Sequence, residues 1–99
     1  MMAAEQLLER EVTIGNTMGL HARPAAMLAK IANGYDAELT LQKLGPGTPS
    51  EEVNCGSILE LMMLAAGKGT RLRLRASGAE ARAVFDSAVQ LFQSKFGEE

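Results

Sequence analysis

The sequence predicts an α+β fold, a four-stranded antiparallel sheet with three helices packed on one of its faces. Two observations predict it. Apolar positions switch between a period of two and helical spacing in the order β-α-β-β-α-β-α. In the fourth strand Arg71, Arg73 and Arg75 alternate with Leu72, Leu74 and Ala76, so one sheet face is wet and the helices share the other. With 99 residues, 46% of them hydrophobic, the chain has enough apolar material for one compact domain and too little for two. Residues 1–99 are therefore read as a single domain, with 1–9 as an N-terminal extension.

The first strand is "REVTI", where Val12 and Ile14 alternate with Glu11 and Thr13. From Ala22 to Ala32 the positions Leu28, Ile31 and Ala32 keep helical spacing, and Asn33-Gly34 supplies a stop. "AELTLQK" alternates through Leu39 and Leu41. The Gly/Pro/Ser-rich "LGPGTPSEE" follows, and "VN" starts a returning strand, which makes a hairpin with a long 43–52 connection. Ser57 opens the apolar helix "SILELMMLAA", closed by Gly67-Lys68-Gly69, and "TRLRLRA" is the fourth strand. Ser77-Gly78-Ala79-Glu80 has the S-x-x-E form of a capping box. Beyond it Ala81, Val84, Phe85, Ala88, Phe92 and Phe96 form the core stripe of a third helix.

Composition narrows the function classes. A net charge of -2 provides no cationic field for nucleic acid or an anionic membrane surface. No apolar run reaches the roughly 20 residues of a membrane span. "MMAAEQLLER" lacks the basic start and apolar stretch of a signal peptide, so the expected location is the cytoplasm. The single cysteine, Cys55, offers neither an intramolecular disulfide nor a multi-cysteine metal site, and is read as a structural residue.

The chemistry concentrates in "GLHARP", residues 19–24, which holds the only histidine. His21 falls where loop gives way to helix, beside first-turn amides that have no intrahelical acceptor. Pro24 fits a first turn because it has no amide hydrogen to leave unbonded. Free amides and the positive end of the helix dipole favour an anion, and Arg23 adds a planar cationic fork suited to phosphate oxygens. The same field favours a neutral imidazole, which can accept a phosphoryl group and hold it as phosphohistidine. On spacing alone, a lone histidine at a helix start is more often a residue that caps the helix or faces solvent than a phosphoryl acceptor. Other chemistries lack their residues. No second histidine or nearby cysteine completes a metal site, "GKGTR" is not a P-loop, and no serine or cysteine is paired with His21 for acyl transfer. No cofactor and no metal are expected.

"GLHARPAAMLAKIAN" resembles the active-site segment of the HPr family, the histidine-containing phosphocarriers of the bacterial phosphoenolpyruvate-dependent phosphotransferase system. "VNCGSILELMMLAAGKGTRLRL" resembles the second signature of that family, in which a serine begins the second helix. The resemblance implies an open-faced β-sandwich and a monomeric carrier rather than an enzyme. It implies that His21 is phosphorylated on Nδ1 by phospho-enzyme I and passes the group to a histidine of an enzyme IIA domain, with Arg23 assisting. Ser57 would be the position modified by HPr kinase/phosphorylase in bacteria that have that enzyme. Ala22, Met27, Ile58, Leu59 and Met62 would form the partner surface. The alternative is a regulatory binding module whose phosphorylation state controls enzymes or transcription factors. The chain departs from the family at Gly56, where a lysine is frequent, at Glu60, often basic or glycine, and in its long hairpin loop. Helix capping explains Ser57 whether or not a kinase exists.

Overall fold

The computed structural model describes residues 6–98. The elements are β1 (Gln6–Thr13), α1 (Ala22–Asn33), β2 (Glu38–Gly45), β3 (Val53–Asn54), α2 (Ile58–Met63), β4 (Arg71–Gly78) and α3 (Ala81–Gln93), followed by a 3-10 turn at Lys95–Gly97. The four strands make one antiparallel sheet in the order β1-β4-β2-β3. This is the α+β architecture that the alternation in β4 implies.

β4 lies between β1 and β2, and its two faces differ in the expected way. Leu72, Leu74 and Ala76 are completely buried, with Leu72 opposite Val12 and Leu74 opposite Leu41. Arg71, Arg73 and Arg75 line the open face and pair with Glu11, Glu9 and Glu52 at 2.7 to 3.8 Å. Hydrogen bonds from Thr40 and Arg75 hold the Glu52 carboxyl below the usual carboxylate range, against the opposing effect of its slight burial. Exposed pairs of this kind each contribute little to stability, so the row is a solvated sheet face.

The helices cover the other face. Ala25 and Leu28 of α1, Leu61 of α2, and Ala81, Val84 and Ala88 of α3 are fully buried in one core with Leu39, Leu41 and Cys55. Burial pushes the Cys55 thiol pKa far up, so it stays protonated and acts as a small apolar side chain. No helix among the described residues is long and apolar enough to cross a membrane.

Four boundaries differ from the sequence reading. β1 starts at Gln6, so residues 6–9 of the expected extension are strand and pair with β4 from Arg75 to Gly78; residues 1–5 lie outside the described residues. Ser77 and Glu80 form no capping box. Ser77 is held in β4 between Leu7 and Glu38, the helix N-cap is Glu80 with no side-chain cap, and its carboxylate accepts from the Asp36 amide at 2.6 Å. α2 ends at Met63, and Ala65 then turns with φ 51°. α3 stops at Gln93, so Phe96 lies in the following turn with φ 55°, although its ring is buried edge-on to Phe92 with centroids 5.0 Å apart.

The long 43–52 loop follows β2 closely. Ser50 donates its amide to the Lys43 carbonyl at 2.9 Å, and its hydroxyl accepts from the Lys43 amide at 2.9 Å. Its carbonyl also accepts from Gln42 at 2.9 Å.

Candidate functional site

The approach to α1 is fixed by the loop before it. Asn16 is completely buried and donates from Nδ2 to the Gly19 carbonyl at 2.7 Å. Gly19 adopts φ +70°, and the next residue, Leu20, donates its amide to the Ala66 carbonyl at 2.9 Å. This ties the loop before α1 to the segment after α2, so the direction in which His21 leaves it is set by buried contacts rather than by the helix alone.

His21 is the N-cap residue of α1, with its carbonyl accepting from the Ala25 amide at 3.0 Å. Its side chain makes no cap bond, so of the two structural readings left open by the sequence, capping does not describe it. The imidazole points instead to Glu98, with Nε2 3.0 Å from Oε1 and 3.1 Å from Oε2. Nδ1 has no hydrogen-bond partner among the described residues. Pro24 occupies the third helical position, within the first turn.

Arg23 reaches the same carboxylate, donating from Nη1 to Glu98 Oε2 at 2.9 Å and to the Phe96 carbonyl at 3.3 Å. Asn16 Nδ2 completes the cluster by donating to Glu98 Oε1 at 3.0 Å. Hydrogen bonds from His21 first, then Arg23 and Asn16, hold the Glu98 carboxyl below the usual carboxylate range. The structure thus brings His21 and Arg23 together, and adds two residues that the sequence reading missed. No periodicity or motif links Glu98 to His21, which are 77 positions apart. Asn16 carries a weak signal at most, as a polar residue two positions after a strand-like run. Among the described residues no three His, Cys, Asp or Glu side chains converge as they would around a metal.

The second group of expected residues lies on and beside α2. Ser57 is its N-cap, and Oγ accepts from the Glu60 amide at 3.1 Å. The Glu60 carboxylate reaches back to the Asn54 amide at 2.9 Å. A Cβ at Gly56 would lie 2.7 Å from Oδ1 of the Asn33 side chain, which would have to turn aside, and Asn33 Nδ2 donates to the Gly56 carbonyl. Ile58, Leu59 and Met62 are exposed and Ala22 is exposed on α1, whereas Met27 is half-buried against the core. Met18 and Met63, which the sequence reading did not single out, are more exposed still, at 71% and 73%.

The family model for the PTS HPr component phosphorylation site matches residues 8–94. The chain belongs to the HPr family. It is 36% identical over 93 residues to the phosphocarrier protein HPr of Xylella fastidiosa, an alignment spanning 94% of this chain and 99% of that one. Identity to the phosphocarrier protein NPr of Shewanella violacea is 40% over 91 residues, spanning 92% and 94%. The crystal structure of HPr from Thermoanaerobacter tengcongensis superposes with a TM-score of 0.81 at 33% identity, covering 93% of this chain and 98% of that one. The open-faced α+β sandwich is therefore the HPr fold, and this HPr-family protein is a phosphocarrier of the phosphotransferase system.

Proposed function

We propose that His21 accepts a phosphoryl group on Nδ1 from phospho-enzyme I and delivers it to a histidine of an enzyme IIA domain. The observation that carries this reading is the position of His21: it is the chain's only histidine, at the start of α1, with Nδ1 unpartnered among the described residues and Arg23 two positions on. In the transfer the Nδ1 lone pair forms a bond to phosphorus. The donor's P–N bond breaks and its electron pair stays on the donor nitrogen. Arg23 stabilises charge on the phosphoryl oxygens as they pass. The chain performs a relay and turns over no substrate of its own.

Ala22, Met27, Ile58, Leu59 and Met62 form the surface on which enzyme I and enzyme IIA dock, and Ser57 is the position at which a kinase would modulate that docking. Incubation with enzyme I and phosphoenolpyruvate adds one acid-labile, base-stable phosphate to the parent chain and none to His21→Ala. Equal labelling of that variant overturns the reading.

The chain matches relatives named HPr and NPr alike, at 36% and 40% identity, and a second reading has the phosphorylation state regulate enzymes or transcription factors rather than feed sugar uptake. Presenting the phosphorylated chain to enzyme IIA domains of the sugar and nitrogen branches separates the two by which of them takes the phosphate.

A further inference from the structure

We propose that Met18, Met62 and Met63 are modification sites: peroxide oxidises them to sulfoxides, and the more polar face that results weakens the docking of enzyme I while His21 stays intact. The proposal rests on the reading that this face docks partners. Met63 and Met18 are the two most exposed large apolar side chains among the described residues, and Met62 is exposed as well. The fold sets their placement. Leu61 and Leu64 are buried at the end of α2, which leaves Met62 and Met63 between them turned outward. Met18 precedes Gly19 at the crossing where Leu20 donates to the Ala66 carbonyl at 2.9 Å, just after α2. All three methionines therefore flank the crossing from which His21 emerges.

The other sulfurs are protected. Oxidation of a cysteine needs exposure and thiolate character, whereas Cys55 is fully buried and burial holds its thiol protonated. Met27 is half-buried against the core. Among the described residues the exposed sulfurs thus all lie on the face read as the docking surface. Ile58 and Leu59 extend its apolar area and are inert to peroxide.

The chemistry is reversible. The thioether lone pair attacks one oxygen of hydrogen peroxide, an S–O bond forms as the O–O bond breaks, and the departing hydroxide takes the remaining proton and leaves as water. Sulfur is oxidised and the peroxide reduced by the same electron pair. A methionine sulfoxide reductase returns the thioether, releasing the oxygen as water while a dithiol becomes a disulfide. A thioether is flexible and apolar, which suits a surface that must fit more than one partner. A sulfoxide is polar and must be desolvated whenever the face is covered.

The test treats the full-length chain with hydrogen peroxide and removes the peroxide. Peptide mass spectrometry then maps oxygen addition, and transfer from enzyme I is measured at varied carrier concentration. Met18, Met62 and Met63 gain oxygen first, Met27 lags and Cys55 stays a thiol. The apparent KM for the carrier rises about tenfold, equivalent to about 1.4 kcal/mol of association, while kcat and the melting temperature stay close to those of the untreated chain. Methionine sulfoxide reductase with a dithiol restores the KM. Combining Met18→Leu, Met62→Leu and Met63→Leu removes the sulfur and keeps the apolar area, and peroxide leaves the KM of that variant where it started. If the triple variant does not fold, Met18→Leu and Met63→Leu answer the same question singly, each losing part of the response. A KM that oxidation does not move, or a peroxide effect that persists undiminished in the leucine variants, overturns the methionine sites alone. Unoxidised Leu59→Glu tests the face itself, with a raised KM expected; an unchanged KM there overturns the docking reading beneath the proposal.

Discussion

A methyl group on Gly19 would lie 2.5 Å from the carbonyl oxygen of Ala66. The two backbones meet where the His21 loop crosses the segment after α2, and Gly19 also holds φ +70°, a conformation that L side chains rarely adopt. Gly19→Ala is therefore expected to destabilise the fold by about 1–3 kcal/mol. Because Leu20 and Ala66 are bonded at this crossing, the variant also slows phosphorylation of His21 under conditions where it remains folded. Denaturant unfolding and a labelling assay below the unfolding transition check the two effects separately.

Arg23→Lys keeps a positive charge and loses the planar guanidinium, whose Nη1 now donates to both Glu98 Oε2 and the Phe96 carbonyl. Phosphoryl transfer is expected to slow about tenfold, since a point charge cannot present two parallel donors. With Arg23 largely exposed, the melting temperature stays close to the parent's. Equal transfer rates for Arg23→Lys, Arg23→Ala and the parent would remove the guanidinium from the mechanism.

Ser57 separates capping from control. Ser57→Ala loses the acceptor for the Glu60 amide and is expected to lose about 1 kcal/mol of stability, whereas Ser57→Asp retains a good N-cap. The aspartate places a charge beside the exposed Ile58, Leu59 and Met62, and a tenfold weaker association with enzyme I corresponds to about 1.4 kcal/mol. Steady-state transfer at varied carrier concentration reads this as a raised apparent KM. An unchanged KM for Ser57→Asp leaves Ser57 as a helix cap only.

The depressed Glu98 carboxyl makes part of the stability pH-dependent. Its folded pKa lies below its unfolded value because of hydrogen bonds from His21, Arg23 and Asn16. The stabilising contribution is thus fully present above the unfolded carboxylate pKa and is lost as pH falls through the folded one. Thermal melts of the parent and Glu98→Gln are expected to differ by a constant gap near neutral pH that closes in acid. A gap independent of pH shows that the carboxylate contributes no charge-dependent stability.

The parts of the molecule that were legible in the sequence are those fixed by near neighbours. The arginine and leucine alternation of β4 encodes a strand with one wet face, and Ser57 caps a helix through an amide only three residues away. His21, Arg23 and Pro24 announce a helix start for the same reason. The misread points depend on partners distant in sequence. Ser77 has the local pattern of a cap, yet its place in β4 is decided by Leu7 and Glu38 across the sheet. Phe96 keeps the four-residue spacing from Phe92 that a helix would give, but reaches the core through a turn with positive φ. Glu98 meets His21 only because α3 runs back across the sheet and the turn after it returns the chain to the start of α1, and no local pattern encodes that meeting.

The bonds between Ser50 and Lys43 have a consequence for the sheet's margin. β3 is only two residues long and pairs with Thr40 and Leu41, so the far half of β2 would otherwise present free amides and carbonyls at an open border. Such a border is a template on which another chain can add a strand and begin to aggregate. By satisfying both backbone groups of Lys43, the connecting loop closes that border with a single serine. The length of the connection is thereby turned to solubility: the excursion folds back as a selvage along β2, and the chain can lengthen its hairpin without acquiring an adhesive side.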